Sequence, residues 1–227
     1  TIGRKLIMSV SGLFLVLFLL FHMSMNLAAV FSTEAYNAIC EFLGANWYAL
    51  AGTLILAAGV VVHLVYATVL TLHNRSSRGS QRYAMTAEPE GVTWASRNMY
   101  VLGIIIVLGL LLHLYNFWYN MQFAEIIGNH ELGPFPPADG AAYIAALFSS
   151  PVYCIIYLVW FAAIWFHLTH GFWSAFHTIG WDNQTWLPRL KRIANVVATI
   201  VFLCFALVVI VFYLRSLGVC GGSCAGF

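Results

Sequence analysis

The chain has 227 residues, 62% of them hydrophobic and only 8% charged, with a formal net charge of +2. Soluble domains carry about 25% charged residues, so this composition excludes a soluble globular domain and a basic nucleic-acid binder. An all-α integral membrane protein is expected, as one domain over residues 1–227, because the connections between apolar runs are too short to hold a soluble domain.

Five runs reach the length of roughly 20 residues that a membrane-spanning helix needs. In chain order they cover about 6–31, 47–73, 98–122, 150–178 and 193–215, and are spans I to V below. The first run follows Arg4 and Lys5 and is too long for the apolar core of a cleaved signal, so it is expected to be retained as a helix. Basic residues gather before span I, between II and III and between IV and V: Arg4, Lys5, Arg75, Arg78, Arg82, Arg97, Arg189, Lys191 and Arg192. The segments between I and II and between III and IV carry Glu34, Glu41, Glu125, Glu131 and Asp139, with no Lys or Arg. The positive-inside rule then puts the N-terminus in the cytoplasm and the C-terminus outside. Arg215 is the one basic residue at the outer side, at a helix C-terminus whose dipole favours a cation.

Four spans each carry a histidine: His22, His63, His113 and His167. An ionisable ring in hydrocarbon is costly without a partner and marks function by default. At 1.5 Å rise per residue, His22 and His113 lie roughly 22 and 24 Å from the inner face, and His63 and His167 roughly 15 and 16 Å. The four thus form an outer and an inner pair, the arrangement of axial ligands for two haems stacked across a membrane. Bis-imidazole ligation leaves no open position on iron, which suits electron transfer, and helix bundles build such sites from facing helices. His170, one turn beyond His167, is the rival ligand in span IV. His73 and His177 lie at inner helix ends, and His130 in an outer loop.

Small residues accompany the ligands: Gly12, Gly59, Gly103, Gly109 and Gly171. They suit close approach of a flat macrocycle, and equally helix–helix packing in membranes. Asn26, Asn116 and Asn120 border the outer region or bond across helices. Cys40, Cys154 and Cys204 are isolated, and free Cys often packs as a small hydrophobe. Cys220 and Cys224 would close a disulfide in an oxidising compartment, or stay unpaired in a frayed tail.

Ser11-Gly12-Leu13-Phe14 followed by the run to His22-Met23, then His113-Leu114-Tyr115, His167-Leu-Thr-His170-Gly171-Phe-Trp173 and Gly180-Trp181, taken together over all five spans, resemble the di-haem cytochrome b anchor of succinate:quinone oxidoreductases (fumarate reductase and succinate dehydrogenase), in its single-chain, five-helix form. The family places its span IV ligand four residues before a glycine, which favours His167 over His170. The resemblance implies a bundle of four haem-bearing helices with two haems b, His22 and His113 on the outer and His63 and His167 on the inner. Ser9, Arg97 and His170 are implied as further haem contacts, with Arg75, Arg78 and Arg82 as further candidates at the inner end. It also implies a quinone site, with menaquinone favoured, and a bacterial cytoplasmic membrane. A flavoprotein subunit carrying FAD and an iron–sulfur subunit would dock on the cytoplasmic face, and a dimer of heterotrimers is allowed. Succinate/fumarate chemistry would occur on the partner; this chain would contribute only the quinone redox site.

The family often uses a carboxylate near the outer haem to accept the quinol proton. Glu41 is favoured here, with Glu34 the weaker candidate. Some members carry a Glu two residues before the span IV ligand; here that residue is Trp165, so that proton route is not expected. Two other readings stay open. One is a di-haem cytochrome b subunit of a hydrogenase or formate dehydrogenase. The other is a transporter using histidines as proton relays, though such proteins usually show acidic partners or broken helices in mid-membrane.

Overall fold

The computed structural model describes residues 2–44, 46–78, 93–181 and 183–219; Arg82, Cys220 and Cys224 lie outside them, as does the side chain of Arg78. The described residues are all helix, turn and loop. The elements are α1 (Ile2–Phe31), α2 (Thr33–Phe42), α3 (Trp47–Arg78), α4 (Trp94–Arg97), α5 (Met99–Ile126), α6 (Gly140–Phe148), α7 (Pro151–Thr178) and α8 (Trp186–Ser216). Five of them, α1, α3, α5, α7 and α8, are long and apolar enough to cross a membrane. With no water in a bilayer core to satisfy backbone N–H and C=O groups, helices that bond internally are what such runs form.

These five coincide with spans I to V; α1, α3, α5 and α8 run longer at one end or both, and α7 matches span IV to within a residue. α8 begins at Trp186 rather than near 193, because Leu187 and Trp186 already bond back to the Asn183 carbonyl. The short helices α2, α4 and α6 fall in segments expected to be loops. Each has its own start signal: Ser32 caps α2 by accepting from the Ala35 N–H, Thr93 caps α4 through Ser96, and Asp139 caps α6 through Ala142. Side-chain oxygens at these positions satisfy otherwise orphaned N–H groups.

The core lies where α8 meets α1 and α7. Val201 and Val209 of α8 and Ile144 of α6 are fully buried, beside Ala29, Ala198, Phe205 and Phe212. Ala194, Ala198 and Ala29 are wholly inaccessible, the small-residue packing that lets membrane helices approach. Arg215 reaches across from α8 and donates to the carbonyls of Val30 (2.8 Å) and Ala29 (3.4 Å). It therefore closes the C-terminal end of α1 as well as lying at that of its own helix. α3 is different: it packs along α1, meets α5 only slightly, and buries none of its residues.

At the end of the bundle where α1 finishes and α3 starts, α2 is latched onto α6. Asn37 donates to the Asp139 carboxylate (2.8 Å) and accepts from the Ala141 N–H (2.9 Å). Cys40 and Tyr36 pack where a side chain at Gly140 would otherwise stand.

α5 is not uniform. It is α-helical over Met99–His113, π-helical over Leu114–Phe123, and α-helical again over Ala124–Ile126. Within the π-helical stretch the side-chain Nδ2 of Asn120 donates to the carbonyls of Tyr115 (2.9 Å) and Asn116 (3.2 Å). Such wide turns occur mostly as short bulges, often at functional sites; this one begins directly after His113.

Candidate functional site

The four span histidines meet in two pairs. The rings of His22 and His113 have centroids 5.7 Å apart at 85°, and those of His63 and His167 6.4 Å apart at 67°. These are the residues that share a depth in the sequence. A metal bound by two opposed imidazoles about 2.0–2.1 Å from each nitrogen holds the ring centroids about 6.4 Å apart, so both pairs stand at or just inside ligating separation. His170 faces no other histidine; it meets the Trp173 ring edge-on at 5.0 Å.

The Nδ1 atoms of His113, His167 and His170 are buried with no hydrogen-bond partner among the described residues. A buried polar nitrogen without a partner costs free energy; one ring of each pair, and His170 outside the pairs, carries that cost. No cluster of three or more His, Cys, Asp or Glu suited to a bare metal ion occurs among the described residues.

One histidine has its tautomer fixed. Ser11 Oγ spends its hydrogen on the Met8 carbonyl (3.0 Å) and lies 3.3 Å from His63 Nδ1. A hydroxyl has a single hydrogen, so toward His63 it can only accept. Nδ1 of His63 thus carries the proton and Nε2 keeps its lone pair, the outer-shell arrangement that orients a metal-binding imidazole. Ser9, the serine singled out from the sequence, is buried two residues earlier; Ser11 is the one that reaches a histidine. A side chain at Gly12 would come within 3.2 Å of the His63 ring.

The outer pair is set in aromatics. His22 stacks on Phe18 (5.5 Å) and tilts against Phe205 (6.0 Å). His113 lies between Phe117 (5.1 Å) and Trp160 (5.7 Å). Trp160 in turn donates to the Ile106 carbonyl (3.0 Å) and occupies the space that a side chain at Gly109 would need. Gly59 likewise admits Phe14, whereas Gly103 and Gly171 have room around them. Span V thus supplies a wall of the outer pocket through Phe205, although it carries no histidine.

A cavity of about 300 Å³ opens outward from this pair. Its deep end is lined by His22, His113, Trp160 and Phe205, and its outer end by Gly44, Thr53, Trp118, Gln122 and Glu125. Asn26 also lines it, donates to the His22 carbonyl (2.8 Å), approaches His22 Nε2 (3.3 Å) and accepts from the Tyr36 hydroxyl (3.1 Å). Asn116 instead bonds across helices to Tyr157 (3.1 Å). Burial pushes the Cys40 thiol up to about 11 and raises the Tyr36 hydroxyl as well.

The acidic residues divide differently from the sequence expectation. Glu41 is exposed on α2 and does not line the cavity. Glu34 is exposed in the first turn of α2, where its own backbone N–H, then Ser32 and Thr33, hold its carboxyl below the usual range. Glu125 is the carboxylate on the cavity wall, packed against Gly44. The sequence carries Glu125 near the outer end of span III, but straight α-periodicity does not turn it inward.

At the opposite end of the bundle, Lys191 lies over Trp173 (4.7 Å), and His73, Arg97 and His177 are exposed at helix ends. Trp165, in the place of an acidic residue, donates to Thr199 (3.0 Å) and ties α7 to α8. No protein-family model matches the sequence, and no curated protein or solved structure matches it.

Proposed function

We propose that this chain is the membrane anchor and electron conduit of a quinol:fumarate reductase or succinate dehydrogenase, with two haems b. The observation that carries the reading is the pair of facing imidazole couples on four different membrane-length helices. His22 and His113 would hold the outer haem, and His63 and His167 the inner. A bis-imidazole haem supplies one-electron transfer and no open coordination position.

The chain's own residues do the rest. Ser11 orients His63, while Phe18, Phe117, Trp160 and Phe205 enclose the outer couple and exclude water. The outer cavity would take a quinone headgroup, with Glu125 on its wall as the group to exchange its proton. That assignment moves the role from Glu41 to the carboxylate that lines the cavity. A flavoprotein and an iron–sulfur subunit on the cytoplasmic pole would perform the dicarboxylate chemistry.

A pyridine haemochrome assay on the purified chain tests the reading. Two haems b per chain are expected, and none rejects it. Co-purification with a flavin-bearing subunit separates this reading from a hydrogenase or formate dehydrogenase cytochrome, which would bring nickel or molybdenum instead.

A further inference from the structure

Gln122 makes three hydrogen bonds, all to residues on the cavity wall. Trp118 Nε1 donates to Gln122 Oε1 (2.9 Å), Thr53 Oγ1 donates to the same oxygen (2.8 Å), and Gln122 Nε2 donates to the Gly44 carbonyl (3.0 Å). Two of these partners act one way only. An indole N–H can only donate and a backbone carbonyl can only accept. The amide therefore cannot flip: its oxygen must face Trp118 and its nitrogen Gly44. Both lone pairs of the oxygen are then used. One of the two N–H groups is used on Gly44, and the second has no partner among the described residues.

We propose that Gln122 is a headgroup-recognition residue of the outer cavity, its second amide N–H donating to a carbonyl oxygen of a quinone held against Trp118. The ligand class follows from what the wall offers. It has one fixed donor, a flat indole beside it, an apolar interior and a carboxylate, Glu125, packed against Gly44. A planar, apolar molecule with a carbonyl acceptor satisfies the donor, and a ligand without an acceptor leaves it unpaired at a cost. Gln122 lies nine residues beyond His113, about 9–14 Å farther along the helix axis at roughly 1.0–1.5 Å per residue. The headgroup end is thus separate from the ligand pair.

The inference rests on the haem and quinone reading above, and its failure is distinguishable from the failure of that reading. The protein in detergent, with any co-purifying subunits retained, is mixed with 2,3-dimethyl-1,4-naphthoquinol. Haem reduction is followed against quinol concentration, with dithionite giving the total haem. Gln122→Met is expected to keep both haems and the dithionite spectrum, and to raise the half-saturating quinol concentration about tenfold. Trp118→Phe removes the indole donor that holds Oε1 and lets the amide turn. It should raise half-saturation in the same direction with both haems retained, and it serves if Gln122→Met does not accumulate. Titration with 2,3-dimethyl-1,4-naphthoquinone, read by tryptophan fluorescence, should show the same weakening in Gln122→Met without any turnover. Unchanged half-saturation in these variants overturns the inference, as does loss of the outer haem from Gln122→Met, which would make Gln122 part of the haem pocket. A wild-type protein without haem overturns the functional reading itself.

Discussion

The hydroxyl of Ser11 stands 3.3 Å from Nδ1 of His63 with its only hydrogen already given to Met8. It is thus an acceptor that would strengthen His63 as a ligand to the proposed inner haem. His167, facing the same ring, has no such support at Nδ1. In Ser11→Ala the acceptor is gone, imidazole basicity falls, and the ferric state is stabilised less. The inner haem potential should rise by roughly 20–60 mV, at 59 mV per tenfold for one electron, while the outer potential stays put. A redox titration of the separate haem α-bands checks this; equal shifts in both haems would show that Ser11 does not act through His63.

Haem loss should follow the ring pairs. His22→Ala or His113→Ala should remove the outer haem and spare the inner, and His63→Ala or His167→Ala the reverse. His170 touches Trp173 and not a second imidazole, so His170→Ala should keep both haems. Pyridine haemochrome counts on the five variants read this directly. Retention in His167→Ala with loss in His170→Ala would reverse the assignment on α7.

Gly109 gives a test that touches no histidine. Trp160 fills the space beside it and leans on His113 at 5.7 Å. Gly109→Val should displace the indole, cost about 1–3 kcal/mol as overpacking does, and release the outer haem ahead of the inner. Gly103→Ala meets nothing within 4 Å and should retain both. Thermal melts and haem counts on the two variants give the comparison.

Cys40 provides a pH-dependent readout outside the spanning helices. Burial holds its thiol up at about 11, and the thiolate is the reactive form. Alkylation by iodoacetamide should be slow at pH 7–8 and accelerate as pH rises toward 11. Fast labelling at neutral pH, measured by mass spectrometry of the Cys40 peptide, would mean that the α2–α6 latch is open.

What the sequence made legible was what a single physical rule controls. The five spans follow from hydrocarbon thickness, and the two histidine pairs from helical rise alone. The α2–α6 end of the bundle obeys no such rule. α2 and α6 are too short to show a period, and their latch, Asn37 with Asp139, joins residues about a hundred positions apart in the chain. Phe205 could not be assigned to the outer pocket because span V carries no polar marker to give its inward face. Glu41 is favoured over Glu34 by its closeness along the chain to span II, and chain position alone gives no reason to weigh Glu125, which lines the cavity.

The π-helical stretch of α5 explains why Gln122 was invisible in the sequence. His113 and Gln122 are nine positions apart, which at about 3.6 residues per turn is two and a half turns, leaving them on opposite sides of a helix. Wound with i→i+5 bonds, at roughly 4.4 residues per turn, the same nine positions make about two turns and come back into phase. Both residues line one cavity because the winding changes between them. Removing a single residue from Leu114–Phe123 should tighten the winding, rotate the amide and the carboxylate toward lipid, and leave all four histidines where they are. Such a chain is expected to keep its spectrum and lose its response to quinol: the winding number of one segment decides whether the two ends of the cavity share a molecule.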